Sequence, residues 1–216
     1  RQNGPKNHTF LRKRIPPGSI RRLEFDLLSV DIGESWPIPI TVVHGARPGP
    51  TITLLGAVHG NELVGPLALT YLSGPNFIGS GKAIDPDVLS GTIRIVPIVN
   101  MPGYKMKSRY MPDGRDLNRS FPGKPDSNTS YRVANRFWKE IIAGSDYVID
   151  LHTAAVGRTN MPQIRANLAH ASSNKIARSF GIEAILDNVG PKGSLRRVTN
   201  DADIACVTFE GGGCLL

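Results

Sequence analysis

Along the chain the apolar residues gather in short runs bounded by glycine, proline and polar residues, the spacing expected of buried strands. Residues 23–43 carry mostly extended signals and end in the alternating run 38–43. The segment HGARPGP then supplies turn chemistry before TITLLGAV at 51–58, so these two runs are expected to lie as antiparallel strands at one side of a sheet. Further strands are expected in TIRIVPIV at 92–99, in DYVID shortly before His152, and at 161–166, 183–186 and 204–209. Helical spacing occupies 62–72, 129–143 and 171–180, the first of these bent or shifted by Gly65 and Pro66. Residues 74–91 read as a loop, and 100–127, broken repeatedly by Pro and Gly, as a long loop of the kind that is usually functional. Alternating strands and helices predict an α/β fold, with a mixed, largely parallel central sheet covered by helices on both faces.

Composition narrows the picture. A chain of 216 residues with 40% hydrophobic content suits one α/β domain with a sizeable core. No apolar run reaches the roughly 18 residues of a membrane span, and the first residues lack the apolar core of a signal peptide, so no membrane partner is expected. The start at Arg1 rather than methionine suggests a trimmed upstream segment. Cys206 and Cys214 cannot form a disulfide framework, and reduced thiols in a cytoplasmic setting fit best. The net charge of +8 raises nucleic acid, anionic membranes and acidic small substrates as partners. Many of the excess cations cluster at 1–22, which reads as a solvated basic N-terminal arm, leaving 23–216 as the single folded domain. No helix-turn-helix, ribonucleoprotein or zinc-finger pattern accompanies them, so nucleic acid is not expected as a partner. His8, His44 and His170 lack a partner at ligand spacing and are expected at the surface, and Trp36 and Trp138 are expected in the core.

Three polar residues, His59, His152 and Glu210, each stand at the carboxyl end of a predicted strand, where the crevice of an open α/β sheet binds ligands. His59 and Glu62 are three apart at a strand-to-helix turn, so one ion could reach both side chains. With His152 they form a two-histidine, one-carboxylate set, the type that holds one catalytic zinc with a position open for water. Asp150 lies two residues before His152 on the same strand face and could orient a ligand.

Four segments together resemble the succinylglutamate desuccinylase and aspartoacylase family, within the zinc carboxypeptidase fold: GAVHGNE, RYMPDGRDLNRSFPG, DLHT and TFEGG, spread over 51–213. The resemblance implies one Zn2+ held by His59, Glu62 and His152, with Glu210 as general base and later proton donor. It also implies that Arg109 polarises the scissile carbonyl, with Arg115 as competitor, and that Asn118 and Arg119 clamp a substrate carboxylate. Arg196 and Arg197 could add a second anion contact. The implied activity is hydrolysis of an amide in an N-acyl amino acid or related small amine, a substrate with a free carboxylate. A zinc carboxypeptidase would use the same groups, and a non-catalytic binding protein is the third possibility. The short interval between Glu62 and His152 leans toward the deacylase. Family members commonly continue into a β-rich C-terminal domain, whereas this chain ends six residues after Glu210, so that domain is expected to be missing here.

Overall fold

A computed structural model describes residues 6–29 and 35–214. Among them, eight strands form one mixed sheet in the order β3-β4-β6-β5-β7-β10-β8-β9. These strands are β3 (Ser19–Ser29), β4 (Ser35–His44), β5 (Arg47–Gly56), β6 (Ser90–Val96), β7 (Tyr147–His152), β8 (Asn160–Ala166), β9 (Ile185–Asp187) and β10 (Ala205–Gly212). The expected fold class holds, since β6, β5, β7 and β10 run parallel and β8 pairs parallel with β9. One expectation is corrected: β4 and β5 do not pair with each other. Strand β6 lies between them, antiparallel to β4 and parallel to β5. Both neighbours offer it apolar residues on both faces, which a hairpin at the edge would have left half exposed.

Alternation in the central strands divides the core. Leu55, Val148 and Cys206 face one side, under α3 (Thr129–Phe137) and α5 (Leu195–Asp201). Their neighbours Leu54, Ile149 and Val207 face the other, under α1 (Val64–Leu72) and α4 (Ala171–Ser179). Phe137, Ile141 and Ile142 are fully buried on the first face, each contributing about 1.5–3 kcal/mol by leaving water. The expected helix at 129–143 continues past α3 as a π-helical turn, Trp138–Ile142, which keeps both isoleucines on the sheet. Burial pushes the Cys206 thiol up to about 12, so it packs as an apolar group.

Helix α1 starts at Val64, later than expected. Gly65 and Pro66 thus fall in its first turn, where the missing proline N–H leaves no bond unmade. The long loop at 100–127 also holds two short elements, α2 (Met101–Lys105), capped by the Asn100 side chain, and a 3-10 turn at Leu117–Arg119 capped by Asp116.

The loose coil expected for 1–22 is corrected over its described part, and residues 1–5 lie outside the described residues. Strands β1 (His8–Phe10) and β2 (Lys13–Ile15) pair as a hairpin, burying Phe10 and Ile15, and Ser19 already belongs to β3. Arg12, Lys13, Arg14, Arg21 and Arg22 stay exposed. His44 is buried rather than at the surface, bonded to the Thr92 hydroxyl and the Lys6 carbonyl, with the His8 ring against it. His170 caps α4 through the Ser173 amide.

Candidate active site

Strands β5, β7 and β10 are parallel neighbours, so their carboxyl ends open on one edge of the sheet. After β5, Ala57 takes a left-handed conformation (φ 48°) that swings His59 over that edge. The following turn is tight, because a Cβ on Gly60 would fall 2.1 Å from the Gly103 carbonyl carbon of α2. Glycine is required there, and it lets the Glu62 amide close on the His59 carbonyl at 3.1 Å. Strand β7 carries Asp150 and His152 on the α5 face, and β10 brings Glu210 level with His152.

The donor atoms of His59, Glu62 and His152 all lie within 4.8 Å of one another, and the three residues are buried. His59 Nδ1 lies 2.8 Å from Glu62 Oε1, His152 Nδ1 2.9 Å from Glu62 Oε2, and the two Nδ1 atoms are 3.1 Å apart. Ligands about 2 Å from a common ion stand roughly 3 Å apart, so the set fits zinc. The outer nitrogens fix the tautomers: His59 Nε2 donates to Asp116 Oδ1 at 3.1 Å and His152 Nε2 to Asp150 Oδ2 at 2.7 Å. Both Nδ1 lone pairs then face a carboxylate, which is repulsive unless a cation or proton stands between them.

The electrostatics agree. Burial would raise the Glu62 carboxyl, but the hydrogen bonds and charge of His152 and His59 hold it well below the carboxylate range. Burial likewise opposes a charge on His152, yet Asp150 and Glu62 outweigh it and hold the imidazole well above its usual range. The same arrangement of carboxylates that suits a cation thus also favours the protonated form of His152. The Thr153 amide donates to Glu62 Oε2 at 3.0 Å and fixes the carboxylate from a third side.

Arg109 reaches the group through NH1 to Glu62 Oε1 at 3.2 Å and NH2 to Asp116 Oδ2 at 3.1 Å. Arg115 is exposed and does not line the cavity. Asn118 accepts from the Leu195 amide at the start of α5 through Oδ1, at 2.8 Å. That leaves its Nδ2 without a protein partner among the described residues. Arg119 lines the same cavity, which has a volume of about 120 Å3. Arg165 and Arg196 line it too, and among the described residues neither buried Nε has a hydrogen-bond partner. Arg196 is held by the Thr208 hydroxyl and the Asn188 side chain, whereas Arg197 turns outward to Asp201. A second compartment of about 200 Å3, walled by Thr153, Ala154, Arg158 and Asn160, adjoins the first across Glu210.

Glu210 is gripped on both oxygens, by Asn160 Nδ2 at 2.9 Å and Arg165 at 3.4 Å. Asp116, Asn160 and Arg165 were not singled out from sequence. Asp116 stands inside the DLNRSFPG string that carried the resemblance, so its signal was present. Asn160 and Arg165 lie on β8 in a segment with no chemical motif, and only the β8–β10 pairing brings them to Glu210.

The succinylglutamate desuccinylase/aspartoacylase catalytic domain matches residues 48–216. The chain is 39% identical over 123 residues to N-alpha-acetyl-L-2,4-diaminobutyric acid deacetylase of Halomonas elongata, covering 56% of this chain and 33% of that protein. The product-bound ectoine utilization protein EutE (DoeB) of Ruegeria pomeroyi superposes with a TM-score of 0.76 at 28% identity, over 92% of this chain and 62% of that one. A succinylglutamate desuccinylase/aspartoacylase structure from Rhodobacter sphaeroides gives 0.74 at 29% identity, over 89% of this chain and 58% of that one. This chain therefore spans one third of the curated relative and about 60% of the solved proteins.

Proposed function

Because the chain belongs to the succinylglutamate desuccinylase/aspartoacylase family, we propose that it is the catalytic part of a zinc-dependent hydrolase cleaving the amide of an N-acyl amino acid. The convergence of three ligand atoms beside Glu210 and Arg109 on the wall of one small compartment is the observation that carries this reading. His59, Glu62 and His152 would hold the ion, which when bound supplies a Lewis acid able to activate water near neutral pH.

Glu210 takes the proton from the attacking water and returns it to the leaving nitrogen, so the amide and water become a carboxylic acid and a free amine. The Asn160 and Arg165 grips keep its carboxylate aimed along the cavity. Arg109 donates to the carbonyl oxygen as negative charge develops there, a role suited to a guanidinium already oriented by two carboxylates. Asn118 Nδ2 and the Arg119 fork would hold the free carboxylate of the substrate.

Size and charge support a deacylase over a carboxypeptidase. Compartments of about 120 and 200 Å3 suit one amino acid and a short acyl group better than a peptide chain. Arg109, Arg119, Arg165 and Arg196 line the first compartment against one carboxylate, Glu210, which is already paired with Arg165, and this excess of positive charge favours an anionic substrate over one bearing a second amine. In this respect the proposed substrate differs from the diaminobutyrate derivative named for the curated relative.

Elemental analysis of purified protein tests the metal, with one zinc per chain expected and none after His59→Ala or His152→Ala. A kinetic panel of N-acyl amino acids against short peptides tests the reaction. Faster cleavage of the peptides would overturn the deacylase reading.

A further inference from the structure

Four side chains close a ring in this site. The two nitrogens of His59 touch Glu62 Oε1 and Asp116 Oδ1, at 2.8 and 3.1 Å. The two terminal nitrogens of Arg109 touch those same two residues, Glu62 Oε1 and Asp116 Oδ2, at 3.2 and 3.1 Å. Asp116 is itself fixed by the Asn118 amide at 2.8 Å, as the cap of the 3-10 turn at Leu117–Arg119. From this ring we infer that Asp116 is a positioning residue that couples Arg109 to the metal ligand His59. The inference rests on the metal-dependent reading of the site.

The chemistry requires a carboxylate at this position. Oδ1 accepts from both His59 Nε2 and the Asn118 amide, while Oδ2 accepts from Arg109. An asparagine can keep only the first set, because its Nδ2 would then meet the guanidinium donor to donor. Once Glu62 serves as a ligand its charge is drawn away from Arg109, and Asp116 is left as the anchor of the guanidinium. The opposite imidazole has no such link. Asp150 receives His152 Nε2, and among the described residues it feels the charge of Arg196 but shares no hydrogen bond with an arginine. With Asp116 neutralised, Arg109 retains Glu62 as its only carboxylate and competes with the cation for it.

Zinc affinity measured against a chromophoric chelator tests this without reference to turnover, using wild type, Asp116→Asn, Arg109→Met and the double variant. Asp116→Asn is expected to weaken zinc about 10- to 100-fold. Arg109→Met, which removes a competing cation, should tighten it. The double variant should recover much of the loss, with a departure from additivity of about fivefold or more. Asp150→Asn should weaken zinc comparably and combine with Arg109→Met additively, within about twofold.

At saturating zinc, Asp116→Asn should lower kcat with little change in KM. Additive effects of Asp116→Asn and Arg109→Met on zinc affinity overturn the coupling and leave the metal site standing. A wild-type chain that binds no zinc overturns the functional reading, and this inference with it. Arg109 is partly exposed, so Arg109→Met is expected to fold, which circular dichroism would check. If Asp116→Asn fails to fold, an Arg109→Met chain with unchanged zinc affinity still counts against the ring.

Discussion

The two imidazoles of the candidate metal site are held in different ways. His152 projects from a central strand, with Asp150 two residues before it and Glu210 level with it on the next strand. Strand geometry alone sets these three side chains on one face. His59 instead sits on a loop, and its supporting carboxylate comes from a second loop 57 residues away. Asp150 is almost fully buried, whereas Asp116 and Arg109 are 16% and 28% exposed. On the proposed mechanism, the strand side is a fixed frame for ligand and base, and the loop side carries the groups that would meet a substrate, where some freedom to adjust is useful.

The largest effect should come from the strand side. Glu210→Ala is expected to retain zinc and lose about 10²- to 10⁴-fold in kcat, the scale of a general acid-base role, as steady-state kinetics with parallel metal analysis would show. Retained activity would remove Glu210 from the mechanism and leave the strand side as a metal frame only. Next, His59→Ala and His152→Ala should both abolish zinc retention through dialysis, and His152→Ala should also lower the thermal midpoint more. An equal loss of stability would break the contrast between frame and loop.

Smaller effects should separate the loop side further. Arg119→Met is expected to raise KM about tenfold for a carboxylate-bearing substrate with kcat nearly unchanged, the pattern of lost uniform binding. Zinc affinity should rise with pH, because His152 carries a proton in the cation-free site and must shed it to become a ligand. Glu62, held well below the carboxylate range, stays ionised through that window and contributes no opposing trend. Isothermal titration in buffers of different ionisation enthalpy would report the released proton, and zinc uptake without proton release would contradict the cation-free protonation of His152.

Much of this was legible from residue pattern. The alternating run at 38–43 became part of β4, and the continuous apolar runs at 51–58 and 92–99 gave β5 and β6, because continuous apolar segments must be buried on both faces. His59 and Glu62 were legible because three-residue spacing at a turn is a local constraint. The insertion of β6 between β4 and β5 was not, since it depends on pairing energies between distant segments. Nor was the hairpin at His8–Ile15, whose cationic residues masked the two apolar anchors Phe10 and Ile15.

What the sequence determined by itself, then, was the local chemistry: which side chains can bind a cation, take a proton or hold a carboxylate, and which short segments must be strands. Tertiary structure decided the partnerships. Asp116 with His59 and Arg109, and Asn160 and Arg165 with Glu210, are contacts between segments far apart in the chain. Periodicity reports only the immediate neighbourhood of a residue. The order of strands in the sheet, set by burial summed over the whole core, fixes which loops meet at its edge.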